Sequence, residues 1–427
     1  MVVFTAVWAG QLVSTLGSKL TSFALSVWIY EETGSPTQFT LAMLASALPY
    51  VALSPVAGVV ADRWDRRRVM MLSDTGAAVG TAFVLGMLLT GNLQIWHVYL
   101  SAALNSAFSA FQWPAYSAAT SLLVPKEHLG RAGGMSQIGE AISQLAGPAI
   151  AGTLFVTHGL QLVVLIDVAT YLVALGTLLA VRFPKPGASE VGEATKGSFW
   201  KDAAFGWTYI RQRSGLMGLL VTFAIVNFFV NITYALYAPL ILEITTPDVL
   251  GYVESVGGLG MLAGTLLMSV WGGPKRRIWG IYLSEMVLGL TTLLFGLRLT
   301  IPLIVTNNLF FYAAMPISTG CSQALWQTKV AHDIQGRVFA IRRMIAYSII
   351  PLAYGLAGPL AERVFEPAMM DGGVLAPLFG PLIGTGPGHG IALIFLICGA
   401  LYVLAIQGVW LNPRIRRVEL ELPDAGA

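Results

Sequence analysis

Long apolar runs recur along almost the whole sequence of 427 residues, and they restrict the possible fold more than any other feature. A helix needs about 20 apolar residues to cross about 30 Å of hydrocarbon. Hydrophobic residues make up 56% of the chain and charged residues 11%, a balance that excludes an ordinary soluble domain. The predicted spans are 3–30, 37–60, 69–90, 94–121, 133–156, 160–181, 215–242, 249–272, 278–298, 301–328, 338–362 and 389–411. The sequence therefore predicts an all-α membrane protein with twelve transmembrane helices.

A short basic segment separates the second apolar run from the third. It contains Gly58, Asp62, Arg63, Arg66, Arg67 and Arg68. An arginine at the centre of a membrane helix costs about 2.5–3.5 kcal/mol, so a cluster of four must lie in water. We therefore predict a tight basic turn that joins two membrane helices.

Basic residues collect on one side of the predicted bundle. Successive spans alternate in direction, so the connections fall into two sets. Of the 25 basic residues, all except Lys19, Arg298 and Arg363 lie in one set or in the helix ends beside it. Basic loops stay on the cytoplasmic side. We therefore predict a multi-pass protein of the cell (cytoplasmic, or inner) membrane with both termini in the cytoplasm.

One long polar connection, 183–214, divides the spans six and six. Its second part, from Phe199 to Arg211, predicts either an amphipathic helix on the inner membrane surface or a solvated linker. A weak internal repeat agrees with the division, because 124–131 is similar to 330–337 and 66–69 is similar to 275–278. We predict an N-terminal half (1–182), a cytoplasmic linker (183–214), a C-terminal half (215–412) and a cytoplasmic tail (413–427).

The basic segment resembles the loop signature of the major facilitator superfamily, Gly-x-x-x-Asp-Arg-x-x-Arg-Arg, except that Asp65 replaces the usual glycine. The resemblance implies two pseudo-symmetric six-helix halves and a conformational switch at this loop. Asp62 would pair within the segment, or with Arg337 or Arg342 near span eleven, and hold the halves together on the cytoplasmic side. The alternative is that these charges only set the topology.

The fifth apolar run resembles the antiporter signature of drug-exporting members of the superfamily, a glycine-rich helix with Gly-Pro at its centre. The corresponding positions are Gly134, Ser143, Gly147, Pro148 and Gly152. Ser143 stands where the signature has glycine, but it is also small. A face of small residues lets this helix pack closely on a helix of the other half. Such faces and prolines also occur in membrane bundles of other kinds.

Ionisable residues inside apolar runs are candidates for proton coupling, because burying them is costly. Glu140 shares a helix face with Gln137 and Gln144, and we expect it either to carry a proton or to join helices as a hydrogen-bonded acid. Lys19 would be its counter-charge, the counter-charge of another acid, or a cavity residue. Further candidates are Asp167, Glu254 and Glu285. We expect Asp74 to pair with the arginine cluster.

Amide and aromatic side chains at bundle depth are candidates for lining a mid-membrane cavity. They are Gln11, Asn105, Gln112, Trp113, Asn227, Asn231, Asn307, Gln323 and Trp326. Such a lining suits a large, amphipathic, weakly charged cargo. For tryptophan the alternative is an anchor at the membrane interface. Drug exporters often carry an arginine in the fourth helix, but 94–121 has none, so coupling through that arginine is excluded.

The resemblance covers essentially the whole chain and is strongest to the macrolide-efflux and siderophore-exporter branch. It implies a secondary active transporter that exports a small amphipathic drug or natural product by alternating access and proton antiport. An importer or lipid flippase of the same fold, and a non-transporting membrane module or sensor, are the alternatives. We expect a monomer in the lipid bilayer, with protons and a small molecule as partners and no nucleic acid.

Enzymatic function is not expected from this sequence. It has no Gly-x-x-x-x-Gly-Lys-[Ser/Thr] segment for a nucleotide, and its five histidines and two cysteines are scattered. We therefore expect no cofactor and no metal site.

Overall fold

The computed structural model describes residues 2–125, 128–181, 199–297, 300–331 and 334–422. These residues form helices joined by short turns. The first helices are α1 (Val2–Thr33), α2 (Pro36–Arg63), α3 (Arg66–Leu89), α4 (Ile95–Leu123) and α5 (Leu129–Ala180). The next are α6 (Phe199–Arg211), α7 (Ser214–Leu242), α8 (Pro247–Trp271), α9 (Arg277–Leu297) and α10 (Ile301–Lys329). The chain continues with α11 (Gln335–Leu360), a π-helical turn (Ala361–Phe365), α12 (Glu366–Met369), α13 (Ala376–Ile383), α14 (His389–Leu411), α15 (Pro413–Arg416) and α16 (Val418–Glu421).

Ten helices in the described ranges are long and apolar enough to cross a membrane. One of them, Arg131–Ala180, is 50 residues long and contains a break at Gly159, where φ is 77°. Glycine adopts a positive φ of this kind without strain, which explains why the helix breaks at this residue. The break lies between the predicted spans 133–156 and 160–181. α4 is 29 residues long but lies outside these ten. The all-helical fold agrees with the prediction, and the exact count of twelve spans stays a prediction.

Short caps explain where the first helices begin. Ser35 precedes α2, and its side chain accepts a hydrogen bond from Gln38 N at 3.2 Å. Asp65 precedes α3 and accepts from Arg68 N at 2.9 Å. Each cap satisfies a backbone donor that the first helical turn leaves unpaired. The predicted tight turn between α2 and α3 is therefore only two residues long, and its arginines lie in the flanking helix ends.

The described chain divides into two compact units. The first unit contains α1–α5 together with Ile241–Ser255, and here α1 packs on α5 while α2 and α3 pack on α4. The second unit contains α6, α7 up to Leu240, and the chain from Val256, and here α9 packs on α10 and α14. The predicted borders near 182 and 214 stay predictions, since the segment 241–255 joins the first unit.

The C-terminal segment is not a free tail over its described length. Ile415 and Val418 are buried in the core of the second unit. Lys329 Nζ donates to the carbonyl oxygens of Glu419 and Leu422, at 2.7 and 2.6 Å. These contacts hold α15 and α16 against α10. Residues 182–198 of the predicted linker lie outside the described residues, whereas 199–211 forms the predicted helix α6.

Candidate functional site

A polar cavity of about 320 Å³ lies inside the first unit, between α1, α3, α4 and α5. Hydroxyl and amide side chains form most of its wall, and Asn105 is among them. Three charged side chains also line it, namely Lys19, Asp74 and Asp167. Polar walls of this kind reduce the cost of holding ionisable groups at membrane depth.

Asp167 is held by hydroxyl groups from two other helices. Its Oδ1 accepts a hydrogen bond from Ser18 Oγ at 3.1 Å, and its Oδ2 accepts from Thr81 Oγ1 at 3.3 Å. The side chain is 4% exposed. This carboxyl therefore joins α1, α3 and α5 at the floor of the polar cavity.

Asp74 corrects one expectation from the sequence. Its Oδ2 accepts a hydrogen bond from Gln11 Nε2 at 2.8 Å, and within the described ranges it makes no ion pair with the arginine cluster. The predicted pairing was wrong because Asp74 lies two helical turns beyond Arg67, on the cavity side of α3. Asp74 is thus a cavity residue.

Two glutamines extend this arrangement towards a neighbouring cavity. Gln112 Nε2 donates to Gln11 Oε1 at 2.9 Å, and Gln11 in turn donates to Asp74. Both glutamines also line a second cavity of about 400 Å³, together with Trp113 and Glu140. The predicted lining residues of the first unit therefore contact two adjoining cavities.

Lys19 brings most of the predicted coupling residues together. Its Nζ lies 3.7 Å from Glu140 Oε1, and the two side chains are 43% and 57% exposed. Glu254, half-buried on α8 within the first unit, is close enough to act electrostatically on Lys19. Asp167 shares the polar cavity with Lys19. Three of the four acidic candidates are therefore near Lys19, and the fourth, Glu285, lies in the other unit.

The small-residue face of α5 allows close helix crossings. A Cβ at Gly152 would lie 2.5 Å from the carbonyl oxygen of Pro247, and a Cβ at Gly251 would overlap the carbonyl oxygen of Pro148. Glycine is therefore required at this crossing of α5 and α8, since backbone atoms cannot yield as a flexible side chain can.

The other antiporter-like positions differ in their contacts. Gly147 faces α1, where its Cβ would contact Lys19 Cβ at 3.4 Å. Ser143 is buried and donates from Oγ to the carbonyl oxygen of Gly139 at 3.0 Å. A Cβ at Gly134 would meet nothing within 4 Å. The close packing is thus confined to the central and later part of the motif.

A contact that the sequence did not suggest joins α1 to the segment 241–255. Tyr30 Oη donates to Glu243 Oε1 at 2.5 Å. The two residues are 213 positions apart, and neither belongs to a recognisable motif. Only the packing of α1 against 241–255 brings them together.

The second unit contains a cavity of about 360 Å³ with a different character. The predicted lining residues Asn227, Gln323 and Trp326 belong to its wall, and so does Glu285. Arg342 also lines it, a residue that the sequence suggested only as a partner for Asp62. Several aromatic rings complete the wall, whereas the polar cavity of the first unit has a single aromatic lining residue, Tyr171.

Glu285 is 4% exposed and is hydrogen-bonded at both oxygens. Its Oε1 accepts from Ser318 Oγ, and its Oε2 accepts from Tyr402 Oη at 2.5 Å. These bonds connect α9 to α10 and to α14. Unlike Glu140, Glu285 has no cationic partner within the described residues.

Two predicted lining residues, Asn231 and Asn307, lie outside this wall. Asn231 Nδ2 donates to the carbonyl oxygen of Asn227 at 2.8 Å, within its own helix. Asn307 is 3% exposed, and its Nδ2 has no acceptor among the described residues. The position of a polar residue within an apolar run therefore does not tell whether its side chain faces a cavity or a neighbouring helix.

The basic segment ties α3 to the end of α5. Arg67 Nε donates to the carbonyl oxygen of Leu178 at 2.7 Å, and Arg67 Nη2 donates to that of Leu179 at 2.9 Å. The dipole of α5 also stabilises a cation at these last carbonyl groups. Arg66 Nε and Nη1 are buried without an acceptor among the described residues, and Arg68 is exposed. The structure describes neither the side chains of Asp62, Arg63 and Arg337 nor the surroundings of Gly58, so the predicted Asp62 latch lies outside the described residues.

Comparison with known proteins decides the family. The sequence profile of the Major Facilitator Superfamily matches residues 7–354. The chain belongs to the major facilitator superfamily. It is therefore a multi-pass membrane transporter of small molecules and not an enzyme, as the sequence predicted.

Individual members of the superfamily are similar to this chain along most of its length. It is 30% identical over 371 residues to macrolide efflux protein A of Streptococcus pyogenes, covering 84% of this chain and 90% of that protein. It is 25% identical over 374 residues to the multidrug efflux pump Tap of Mycolicibacterium fortuitum, covering 85% and 88%. The crystal structure of the nucleoside transporter NupG superposes with a TM-score of 0.72 at 12% identity, covering 95% and 98%. The last similarity shows the fold alone.

Proposed function

We propose that the protein exports a small amphipathic drug or natural product by alternating access, in exchange for protons. Export is supported by the names of its relatives, which include macrolide and multidrug efflux proteins. Twelve spans and cytoplasmic termini belong to the same proposal. The observation that carries the coupling is the ion pair between Lys19 and Glu140 inside the membrane-spanning region, with Glu254 nearby.

A lysine between two carboxyls can change partners when one of them binds a proton. With Glu140 ionised, its carboxylate attracts the Lys19 ammonium group across 3.7 Å. When a proton binds Glu140 Oε1 or Oε2, this attraction is lost and Glu254 becomes the main counter-charge. Glu140 lies on α5 and Glu254 on α8, so the exchange shifts the pull on α1 from one helix to another. A ligand or proton drives alternating access only by such a difference in interaction between two states.

The helix crossing and the basic segment have mechanical roles in this proposal. Gly152 and Gly251 let α5 and α8 approach closely, and the donation from Ala149 N to Ser255 Oγ at 3.2 Å adds a polar contact there. Such a crossing resists leakage on one side of the membrane while cargo exchanges on the other. The basic segment 58–68, with Arg337, would supply the switch on the cytoplasmic side.

The test is a variant that keeps the shape of Glu140 and removes its proton-binding group. Glu140→Gln is reconstituted in vesicles and assayed for efflux of fluorescent amphiphiles driven by a proton gradient, with a pH-sensitive dye reporting proton movement. We expect gradient-driven efflux and its proton flux to fall to the level of empty vesicles. Exchange of cargo between equal concentrations, without a gradient, should continue because it needs no net proton transfer.

The matched control is Glu32→Gln. Glu32 is also a glutamate of a long apolar helix, but it is exposed at the end of α1 and is remote from Lys19 in sequence. It should transport like the wild type. Wild-type gradient-driven efflux by Glu140→Gln at every pH would remove Glu140 from the coupling mechanism. Uptake without efflux by wild-type vesicles of known orientation would overturn the proposed direction.

A further inference from the structure

The cavity of the second unit combines flat apolar walls with a volume suited to a small organic molecule. Its 360 Å³ lies near the lower end of the range for ligand pockets, about 300–1,000 Å³. Its aromatic wall is formed by Phe223, Phe311, Trp326, Phe339, Tyr347 and Tyr402. Such rings bury a planar apolar group efficiently and stack on it.

Arg342 forms the charged part of this cavity. Its Nη2 donates to Ser322 Oγ at 2.8 Å, and its Nη1 donates to Gln323 Oε1 at 3.3 Å. Its guanidinium carbon lies 5.0 Å from the ring centre of Trp326. These contacts orient the guanidinium plane and use two of its five N–H donors. No carboxylate of the described residues lies within ion-pairing distance of Arg342.

The described lining of the cavity has an excess of positive charge. Arg342 and Arg343 both belong to it, whereas Glu285 is the single carboxyl among the described lining residues. Both oxygens of Glu285 already accept hydrogen bonds from hydroxyl groups. The balance is positive whether or not Glu285 is ionised. An arginine that lines a cavity without a carboxylate partner among the described residues is suited to binding an anionic group of a ligand.

Trp326 packs beside Arg342 in the same wall. Its side chain is 1% exposed, and its Nε1 has no acceptor among the described residues. Arg342 is the donor that lines the cavity, so a ligand with acceptor oxygens suits this wall better than a hydrocarbon or an amine does. Carboxylates have a further advantage beside arginine, because they accept two parallel hydrogen bonds from its guanidinium group.

We propose that this cavity binds an amphiphile with one anionic head group, holding the head group at Arg342 and the apolar part against the aromatic wall. The proposal rests on the proposed transport function and names the class of its cargo. The polar cavity of the first unit is unsuited to the same head group, because Asp74 and Asp167 line it and only Lys19 opposes them.

Three pyrene probes with different head groups test this directly. Pyrenebutyrate is an anion, pyrenebutanol is neutral, and pyrenemethylamine is a cation at pH 7. Each is titrated into the purified full-length protein in phosphatidylcholine nanodiscs, and the saturable energy transfer from tryptophan to pyrene is measured. We expect the wild type to bind pyrenebutyrate at least about tenfold more tightly than either other probe, a difference of about 1.4 kcal/mol. Equal binding of the three, or a preference for the amine, overturns the proposal.

The variants locate the head group. Arg342→Gln should weaken binding of pyrenebutyrate about tenfold or more and leave pyrenebutanol nearly unchanged, because a charge-assisted hydrogen bond is lost. Arg342→Lys should recover part of the loss, since it restores the charge without the planar fork. Arg276→Gln is the matched control, because Arg276 is exposed and lies in a turn outside this cavity. Equal weakening of all three probes in Arg342→Gln would contradict the assignment, and the wild-type ranking decides the class even if this variant fails to fold.

Two further experiments distinguish a lipid ligand from a soluble one, and this inference from the proposed transport function. Phosphatidylglycerol nanodiscs should abolish the Arg342-dependent binding if the natural ligand is a lipid, and should leave it intact if the ligand comes from solution; either result keeps the anionic class. Arg342-dependent binding without proton-driven efflux would overturn the transport proposal alone. Proton-driven efflux of other compounds, with no anionic preference in binding, would overturn this inference alone.

Discussion

The two units hold their buried acids in different surroundings. In the first unit, Asp167 lines a polar cavity that also contains Lys19. In the second, Glu285 lines an aromatic cavity that contains Arg342. Each acid accepts hydrogen bonds from hydroxyl groups of neighbouring helices. The difference lies in the cation: Lys19 is paired with a glutamate, whereas Arg342 has no carboxylate partner among the described residues.

This contrast indicates that the two units have different roles in transport. A lysine beside a glutamate can respond to a proton, because protonation of the glutamate changes the charge that the lysine meets. A guanidinium group beside aromatic rings stays charged at physiological pH and is suited to binding. Proton handling would then belong to the first unit and cargo recognition to the second.

The largest effect is expected from Lys19→Met. In the proposed mechanism, Lys19 exchanges Glu140 for Glu254 when Glu140 binds a proton. Without the ammonium group this exchange cannot occur, so proton-driven efflux should fall to the level of empty vesicles. Binding of pyrenebutyrate to the aromatic cavity should persist. Lys275→Met, at an exposed position, is the control. If Lys19→Met removed the binding of pyrenebutyrate as well, the division between the two cavities would be disproved.

A smaller effect should distinguish the two buried acids. Glu285→Ala leaves the hydroxyl groups of Ser318 and Tyr402 without their acceptor, and we expect the free energy of unfolding to fall by about 2–4 kcal/mol. Asp167→Ala should cost about 1 kcal/mol, since both of its donors, Ser18 and Thr81, can turn to carbonyl groups of their own helices, whereas the Tyr402 hydroxyl cannot reach a carbonyl of its own helix. Denaturant titrations of the purified variants in micelles measure both values.

Tyr402→Phe supplies the control for this pair. It removes one donor from Glu285 and keeps the carboxyl, so the loss should be smaller than that of Glu285→Ala. Equal losses for Glu285→Ala and Asp167→Ala would mean that the surroundings of the two acids do not differ in the way proposed.

Sequence reasoning predicted the helices well and the contacts between them unevenly. Apolar runs set the spans, and Gly159 marks a break that glycine alone explains. The pairing of Lys19 with Glu140 was foreseeable, because opposite charges at membrane depth need each other. The bond between Tyr402 and Glu285 spans 117 positions and depends on how α14 packs on α9, which no local pattern encodes. The hydrogen bond of Asp74 with Gln11 spans 63 positions and depends in the same way on packing between helices.

The smallest predicted effect compares how two related helix starts are capped. The basic sequences 66–69 and 275–278 resemble each other, and both open a helix. Asp65 caps α3 from the adjacent position, accepting from Arg68 N at 2.9 Å. Glu419 caps α9 from the C-terminal segment, accepting from the backbone N of Arg277 at 2.7 Å and of Ile278 at 3.2 Å.

We expect Asp65→Ala to cost about 1 kcal/mol of stability and Asp65→Asn much less, because asparagine also caps helices. Hydrogen exchange should then quicken only in the first turn of α3. Glu419→Ala should quicken exchange at the start of α9 and also in 413–422, because the carboxylate ties the C-terminal segment to that helix. Confinement of the Glu419→Ala effect to α9 would show that Lys329, Ile415 and Val418 hold the C-terminal segment by themselves. The remote cap would then be a consequence of the docked segment and not a cause of its docking.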